Sequence, residues 1–204
     1  EAVALISDAG TPLVSDPGFR LVRAAQDRKI PIFPLPGPCA AIAALSGAGL
    51  PTDRFFFEGF LPSKSQQRRK RLESLQHQTG TLIFYEAPHR IRATLADAVE
   101  IMGPEREAVL ARELSKAFET IKRDSLAALL GWVEEDANQQ RGEQVLLIGP
   151  APDELGTELS ERDRQLLLRL GDELPPRKAA SIVADVTGIR ARDLYEQLIN
   201  REKK

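Results

Sequence analysis

Apolar positions in the first fifty residues come in short bursts separated by glycine–proline turns. Val3-Ala4-Leu5-Ile6 is a continuous apolar run bounded by Ser7-Asp8 and a glycine turn. That is the pattern of a parallel-type strand, predicted over 3–7 and buried on both faces. Phe19, Leu21, Val22 and Ala25 follow Pro17-Gly18 at near-helical spacing and predict a helix over 17–28. Ile30 to Leu35 reads as a second short strand, stopped by Pro36-Gly37-Pro38. Cys39 to Ser46 then runs almost without polar side chains, a small-residue helix able to pack closely on a sheet or to let a ligand approach its N-terminus. Strand, loop, helix, repeated, predicts an α/β sheet.

The pattern restarts near Phe55. "RFFFEGFLP" predicts a strand ending at proline, 64–77 a basic helix, 81–85 a strand, and 88–102 a helix stopped by Gly103-Pro104. Residues 108–114 and 117–124 are strand-like, 126–133 helical, and 143–149 a last strand. An acidic linker over 151–163 carries Asp153, Glu154, Glu158, Glu161 and Asp163, and Ser160 with Asp163 forms a cap pattern. The tail is helical throughout. Ala179, Ile182, Val183 and Val186 share one face, Thr187-Gly188 is a break, and Leu194, Tyr195, Leu198 and Ile199 form the next face. Two readings stand for it, a helix-turn-helix and a plain helical cap. The predicted domains are 1–54, 55–150 and 158–204.

Composition adds exclusions. Of 204 residues 42% are apolar, and no apolar run is long enough to span a bilayer. One cysteine rules out a disulfide framework and predicts a reducing, cytoplasmic setting. No secretory leader pattern is present. The chain starts at Glu1 and enters an apolar run at once, which predicts further sequence upstream. A net charge of −2 leaves any nucleic-acid signal to local clusters.

Phosphate-cradling, dinucleotide and zinc-protease motifs are absent, and His77 and His89 have no metal-ligand spacing with Cys39. No metal site is expected. What remains falls at predicted strand ends, where open α/β sheets bind ligands. Asp8-Ala9-Gly10-Thr11-Pro12 offers a charge for a cation, hydrogen bonds and a close backbone approach; Pro36-Gly37-Pro38-Cys39-Ala40 opens a helix with small residues. Either loop alone is explained by a tight turn, but the two together favour a crevice. "FYEAPHR" places Glu86, His89 and Arg90 at another strand end, and "ARELSKAFE" carries Arg112, Glu113, Lys116 and Glu119. These are surface ion pairs or cleft residues. Lys64, Arg68, Arg69, Lys70 and Arg71 form a basic run with no acid between Leu61 and Leu72, a solvated face or a phosphate-contacting patch.

In this order "SDAGTPLVSDPG", "PLPGPCAAIAAL", "LIFYEAPHRI", "ARELSKAFET" and a final "GEQVLLIG" closely resemble the tetrapyrrole methylase superfamily, in its ribosomal branch of small-subunit rRNA (cytidine-2′-O)-methyltransferases. The resemblance covers the whole chain and implies two α/β domains, the first incomplete here, followed by a small C-terminal helical domain. It implies S-adenosyl-L-methionine in the cleft between the α/β domains, a homodimer, and 16S rRNA of the small subunit as substrate. It places Asp8, Gly10, Thr11, Cys39, Ala40, Phe84 and Tyr85 against the cofactor. The expected reaction is attack of a ribose 2′-hydroxyl on the cofactor methyl, with Glu86, Glu113 and Lys116 as base candidates and Arg90 and Arg112 holding phosphates. Residues three apart on a strand face opposite sides, so Glu113 and Lys116 act together only if the strand breaks near Ser115 or Ala117. Two rivals stand beside this reading. A tetrapyrrole methylase has no use for the basic run, and a non-catalytic RNA-binding fragment would bind no cofactor.

Overall fold

The computed structural model describes residues 2–152, 159, 161–189 and 191–201. They divide into two units, 1–151 and 152–204. Residues 153–158, Ser160 and Arg190 lie outside the described set, and with them most of the acidic linker and the Ser160 cap.

The first unit is built on one mixed sheet of five strands in the order β1-β2-β5-β3-β4. The strands are β1 (Phe55–Phe60), β2 (Thr81–Glu86), β3 (Glu107–Arg112), β4 (Thr120–Ser125) and β5 (Gln144–Ile148). β1 and β2 are parallel and joined by α3 (Ser65–Leu75); β5 runs antiparallel to both β2 and β3, and β3 and β4 form a hairpin. Two further helices, α4 (Ile91–Met102) and α5 (Leu126–Glu135), join α3 on one face. Leu82, Phe84, Leu110, Leu146 and Ile148 point into that layer, against Leu72, Ile91, Leu95, Leu126 and Leu129. The alternate residues Ile83, Val109, Ala111, Val145 and Leu147 point the other way, onto Ala41, Ala44, Leu45 and Ala48 of α2 (Ala40–Ala48). Near-continuous apolar runs in β2, β3 and β5 follow from burial on both faces.

The predicted strands over 3–7 and 30–35 are not formed. Val3, Ile6, Phe33 and Leu35 are exposed, and only α1 (Phe19–Asp27) is regular before α2. A strand exists only through its ladder, and neither segment has a paired neighbour. The α2 helix packs on the sheet of 55–150. Other predicted elements shift by a few residues at most. The break expected at Ser115 and Ala117 is present and wider than these two, because β3 ends at Arg112 and β4 starts at Thr120.

The second unit is three helices, α6 (Glu161–Glu173), α7 (Pro176–Thr187) and α8 (Ala191–Arg201). Their core is Leu159, Leu167, Ala179, Ala180, Val183, Ile189, Leu194 and Leu198. The α7 face is rotated from the predicted one: Ala180 is buried, whereas Ile182 and Val186 are exposed. The small pair Ala179-Ala180 lets α7 approach its neighbours along a narrower stripe. A Cβ on Gly171 of α6 would lie 2.7 Å from the end of the Leu198 side chain, which would have to shift to admit it. Gly188 ends α7 in the left-handed conformation, its N–H donating to Ala184 O.

Candidate active site

Two loops converge on the N-terminus of α2. The first holds both turns of 8–18, tied at its neck by the Ser7 hydroxyl and Asp16. Leu13 and Ser15 there adopt positive φ, a strained backbone for residues with side chains. Thr11 Oγ1 donates to Pro38 O at 2.9 Å, which joins the first loop to the second. Gly10 takes a positive φ that favours glycine, and a Cβ on Gly10 or Gly37 would meet Pro38 O or Thr11 Oγ1 at 3.5 Å, ordinary contact. Asp8, Gly10 and Ala40 are exposed beside the junction.

The third contributor is Tyr85. Its hydroxyl accepts from Ala41 N–H in the first turn of α2 at 3.2 Å and lies 4.0 Å from Cys39 Sγ. Burial raises its pKa above the usual phenol value, against the lowering effect of the Ala41 N–H. Phe57 and Phe60 meet its ring edge-on, with centroids 5.0 and 5.7 Å away. The fourth is the turn between β3 and β4, because Leu114 packs on the same cluster as Cys39 and Tyr85. The structure thus brings together Thr11, Cys39, Ala40 and Tyr85, with Asp8 and Gly10 alongside.

It separates others. Phe84 and Tyr85 are sequence neighbours on a strand, so they face opposite sides. Phe84 is fully buried against α3, α4 and α5, and its side chain is not at this site. Glu86 follows Phe84 by two and shares that far face. Its carboxylate is 2% exposed and accepts from Ala87 N–H at 2.8 Å and from Thr94 Oγ1 at 2.6 Å. Arg90 Nε sits 3.1 Å from it, and Arg90 Nη2 donates to Leu61 O at 2.5 Å. Both charges are committed to tying β2, α4 and the end of β1 together. Arg112 is likewise turned inward, donating to Thr120 Oγ1 at 3.3 Å.

Glu113 and Lys116 do meet. Lys116 Nζ donates to Glu113 Oε1 at 2.8 Å and lies 3.1 Å from Glu143 Oε2, and Glu143 N–H donates to Glu113 Oε1 at 2.8 Å. The ammonium and that N–H hold the Glu113 carboxyl below the usual carboxylate range, and the two carboxylates hold Lys116 above the usual ammonium range. The cradle depends on Gly142, where a Cβ would lie 2.4 Å from Glu113 Cδ. Gly142 and Glu143 open the final motif "GEQVLLIG", but the sequence gives them no visible tie to Glu113, 29 and 30 residues upstream.

The basic run is largely neutralised. Arg68 is buried on Asp97 at 2.7 Å, Arg69 bridges Asp97 and Glu100, and Arg71 pairs with Glu58. No acid lies between Leu61 and Leu72, but α4 supplies Asp97 and Glu100 and β1 supplies Glu58. Only Lys64 and Lys70 of the five retain an exposed, unclaimed appearance in sequence and structure alike. A concavity of about 460 Å³ lined by Glu105, Glu107, Arg123, Asp124 and Ser125 lies at the opposite end of β3 and β4 and holds none of these residues. Among the described residues no group of three His, Cys, Asp or Glu is placed to hold a metal ion, and no helix is long and apolar enough to cross a membrane.

Comparison with known proteins places the chain in a family. The sequence profile of the tetrapyrrole (corrin/porphyrin) methylases matches residues 1–130, and that of the RsmI C-terminal HTH domain matches 157–202. Proteins called ribosomal RNA small subunit methyltransferase I are 57% identical in Pseudomonas aeruginosa, over 100% of this chain and 73% of that protein, and 47% identical in Escherichia coli O157:H7, over 98% and 70%. Among solved structures, the methyltransferase CobJ superposes with a TM-score of 0.50 at 22% identity, over 70% of this chain and 62% of that one. A conserved hypothetical protein from Aeropyrum pernix K1 superposes with a TM-score of 0.51 at 16% identity, over 96% and 68%. The chain therefore belongs to the tetrapyrrole (corrin/porphyrin) methylase family, in the group of the ribosomal RNA small subunit methyltransferases I.

Proposed function

We propose that the protein transfers a methyl group from S-adenosyl-L-methionine to 16S rRNA of the small ribosomal subunit, at the 2′-oxygen of a cytidine ribose. It acts in the cytoplasm, as a homodimer. The observation that carries the reading is the junction of both small-residue loops with Tyr85 at the start of α2, in a chain whose near-full-length relatives bear that methyltransferase name.

The residues present suit the cofactor. Gly10 and Gly37 leave backbone exposed to an approaching ligand, and Asp8 offers a carboxylate to an amino group or a sulfonium. When bound, the cofactor supplies an electrophilic methyl with a neutral leaving group. Orientation then does most of the work. The three base candidates change standing. Glu86 lies on the far face with its lone pairs used. Glu113 is held ionised by Lys116 and is a weak base. Lys116 is held as an ammonium, which suits it to stabilising charge on the ribose oxygen rather than to removing the proton.

The basic run and the basic tail, with Arg177, Lys178, Arg190 and Arg192, both count against the tetrapyrrole reading, and the pairing of Arg68, Arg69 and Arg71 removes the first of these. The identity of the relatives and the matched tail now carry the choice. The test is labelled methyl transfer by the full-length protein to small subunits lacking the modification, with the product nucleoside identified by mass spectrometry. 2′-O-methylcytidine supports the proposal. Label on an added porphyrinogen and none on RNA would replace it with the tetrapyrrole reading.

A further inference from the structure

The turn between β3 and β4, residues 113–119, is built to hold one side chain out. Its base is fixed. Glu113 N–H donates to Glu143 O at 2.9 Å, the Glu113 carboxylate sits in the Gly142–Glu143 cradle, and Leu114 packs on the same buried cluster as Cys39 and Tyr85. Its interior is fixed too. Ser115 N–H donates to the Glu119 carboxylate at 2.5 Å, and the N–H groups of Lys116 and Glu119 donate to Glu113 O and Lys116 O. Glu113 and Ser115 both take positive φ, a conformation that side-chain-bearing residues hold only when their surroundings impose it. Phe118 leaves this rigid turn 71% exposed.

A large apolar ring held out by a turn whose backbone is fixed is pre-organised for contact. The charges around it say what kind. Glu113, Glu119 and Glu143 stand against Lys116 and Arg112, a small excess of carboxylate that does not favour a phosphate backbone. An aromatic face flanked by carboxylate acceptors suits the other part of a nucleotide, the base, which stacks on rings and offers amino donors.

We propose that Phe118 is the platform on which the nucleobase of the target nucleotide stacks, holding its ribose toward the Tyr85 end of the sheet. This rests on the RNA reading above. Methylating a ribose oxygen requires the nucleotide to be drawn away from its neighbours, and a stacking surface compensates the lost base stacking. The turn's bracing keeps that surface in place before the RNA arrives.

The test uses Phe118→Ala, Phe118→Leu and Phe118→Trp in the full-length protein, on small subunits lacking the modification. Phe118→Ala and Phe118→Leu are expected to lower kcat/KM about tenfold to a hundredfold, while Phe118→Trp retains near-normal turnover. Cofactor affinity and the mass of the species in solution are expected to stay unchanged in all three. In Phe118→Trp the added indole fluorescence is expected to be quenched by substrate RNA. Phe118→Leu at wild-type activity overturns the proposal, because leucine keeps the apolar bulk and lacks the ring. A changed oligomeric mass in Phe118→Ala overturns it in favour of a surface covered by a second copy. A wild-type protein that binds cofactor but leaves small subunits unmethylated overturns the RNA reading, and this proposal with it.

Discussion

Arg68 shows how burial reassigns a residue. By composition it belongs to a basic patch; in the fold it is 5% exposed and bonded to Asp97. Removing Arg68 takes the shorter of two ion pairs from Asp97 and leaves it only the 3.2 Å contact to Arg69, a loss of about 2 kcal/mol. Arg68→Ala is therefore expected to lower unfolding stability by about that amount in denaturant titration, whereas the exposed Lys70→Ala changes it by less than about 0.5 kcal/mol. RNA affinity measured on the folded fraction of Arg68→Ala should be normal. The Glu113–Lys116 pair gives a second residue-scale expectation, in pH. A carboxyl lowered on folding contributes stability that is present above its unfolded pKa and is lost as pH falls through its folded one. An ammonium raised on folding contributes below its unfolded pKa and loses that contribution as pH rises through its folded one. The turn is thus most firmly held around neutrality. Glu113→Gln and Lys116→Met should each flatten both limbs of the stability profile, as read by thermal melts across pH.

At the scale of elements, the ladder assigns sides that spacing alone leaves open. Glu86, Gln144, Arg112 and Thr120 lie opposite one another across β2, β5, β3 and β4, one polar row at the end of an otherwise apolar face. The N-terminus of α4 closes over Glu86 through Arg90 and Thr94. Glu86→Gln is expected to cost about 2 kcal/mol or more, lower the melting temperature and leave kcat per folded enzyme unchanged. A drop in kcat of a hundredfold at normal stability would return Glu86 to the chemistry. Much of this was legible in sequence. Apolar runs and glycine–proline stops located every helix and strand from Phe55 onward, and the small residues around Gly10 and Gly37 marked the junction. The sidedness of Phe84, Tyr85 and Glu86 was available from the period of two. The pairing of Arg68 with Asp97 was not, because it depends on how α3 packs on α4. The runs at 3–7 and 30–35 misled because apolar continuity reports a tendency to be buried, while a strand also needs a partner.

For the whole molecule, the second unit has its own apolar core and its own caps. Residues 152–204 expressed alone are expected to give a helical circular-dichroism spectrum and a cooperative though low melting transition, since so short a chain buries little surface. Deleting them from the full-length protein should leave cofactor affinity intact and reduce methylation of small subunits. Normal methylation without them would make the tail dispensable for substrate choice.

The order of the sheet also bears on how the chain is made. β5 is the last strand in sequence and the middle strand in space. A ribosome that has delivered everything up to Glu143 has produced β1 with β2, and β3 with β4, each pair ending in an unpaired edge. Such edges recruit whatever extended chain lies nearby. The five residues from Gln144 to Ile148 join both halves at once. Their arrival is the point at which a nascent chain prone to mispairing becomes a closed fold, and a pause in translation just ahead of them is the most hazardous place to stop.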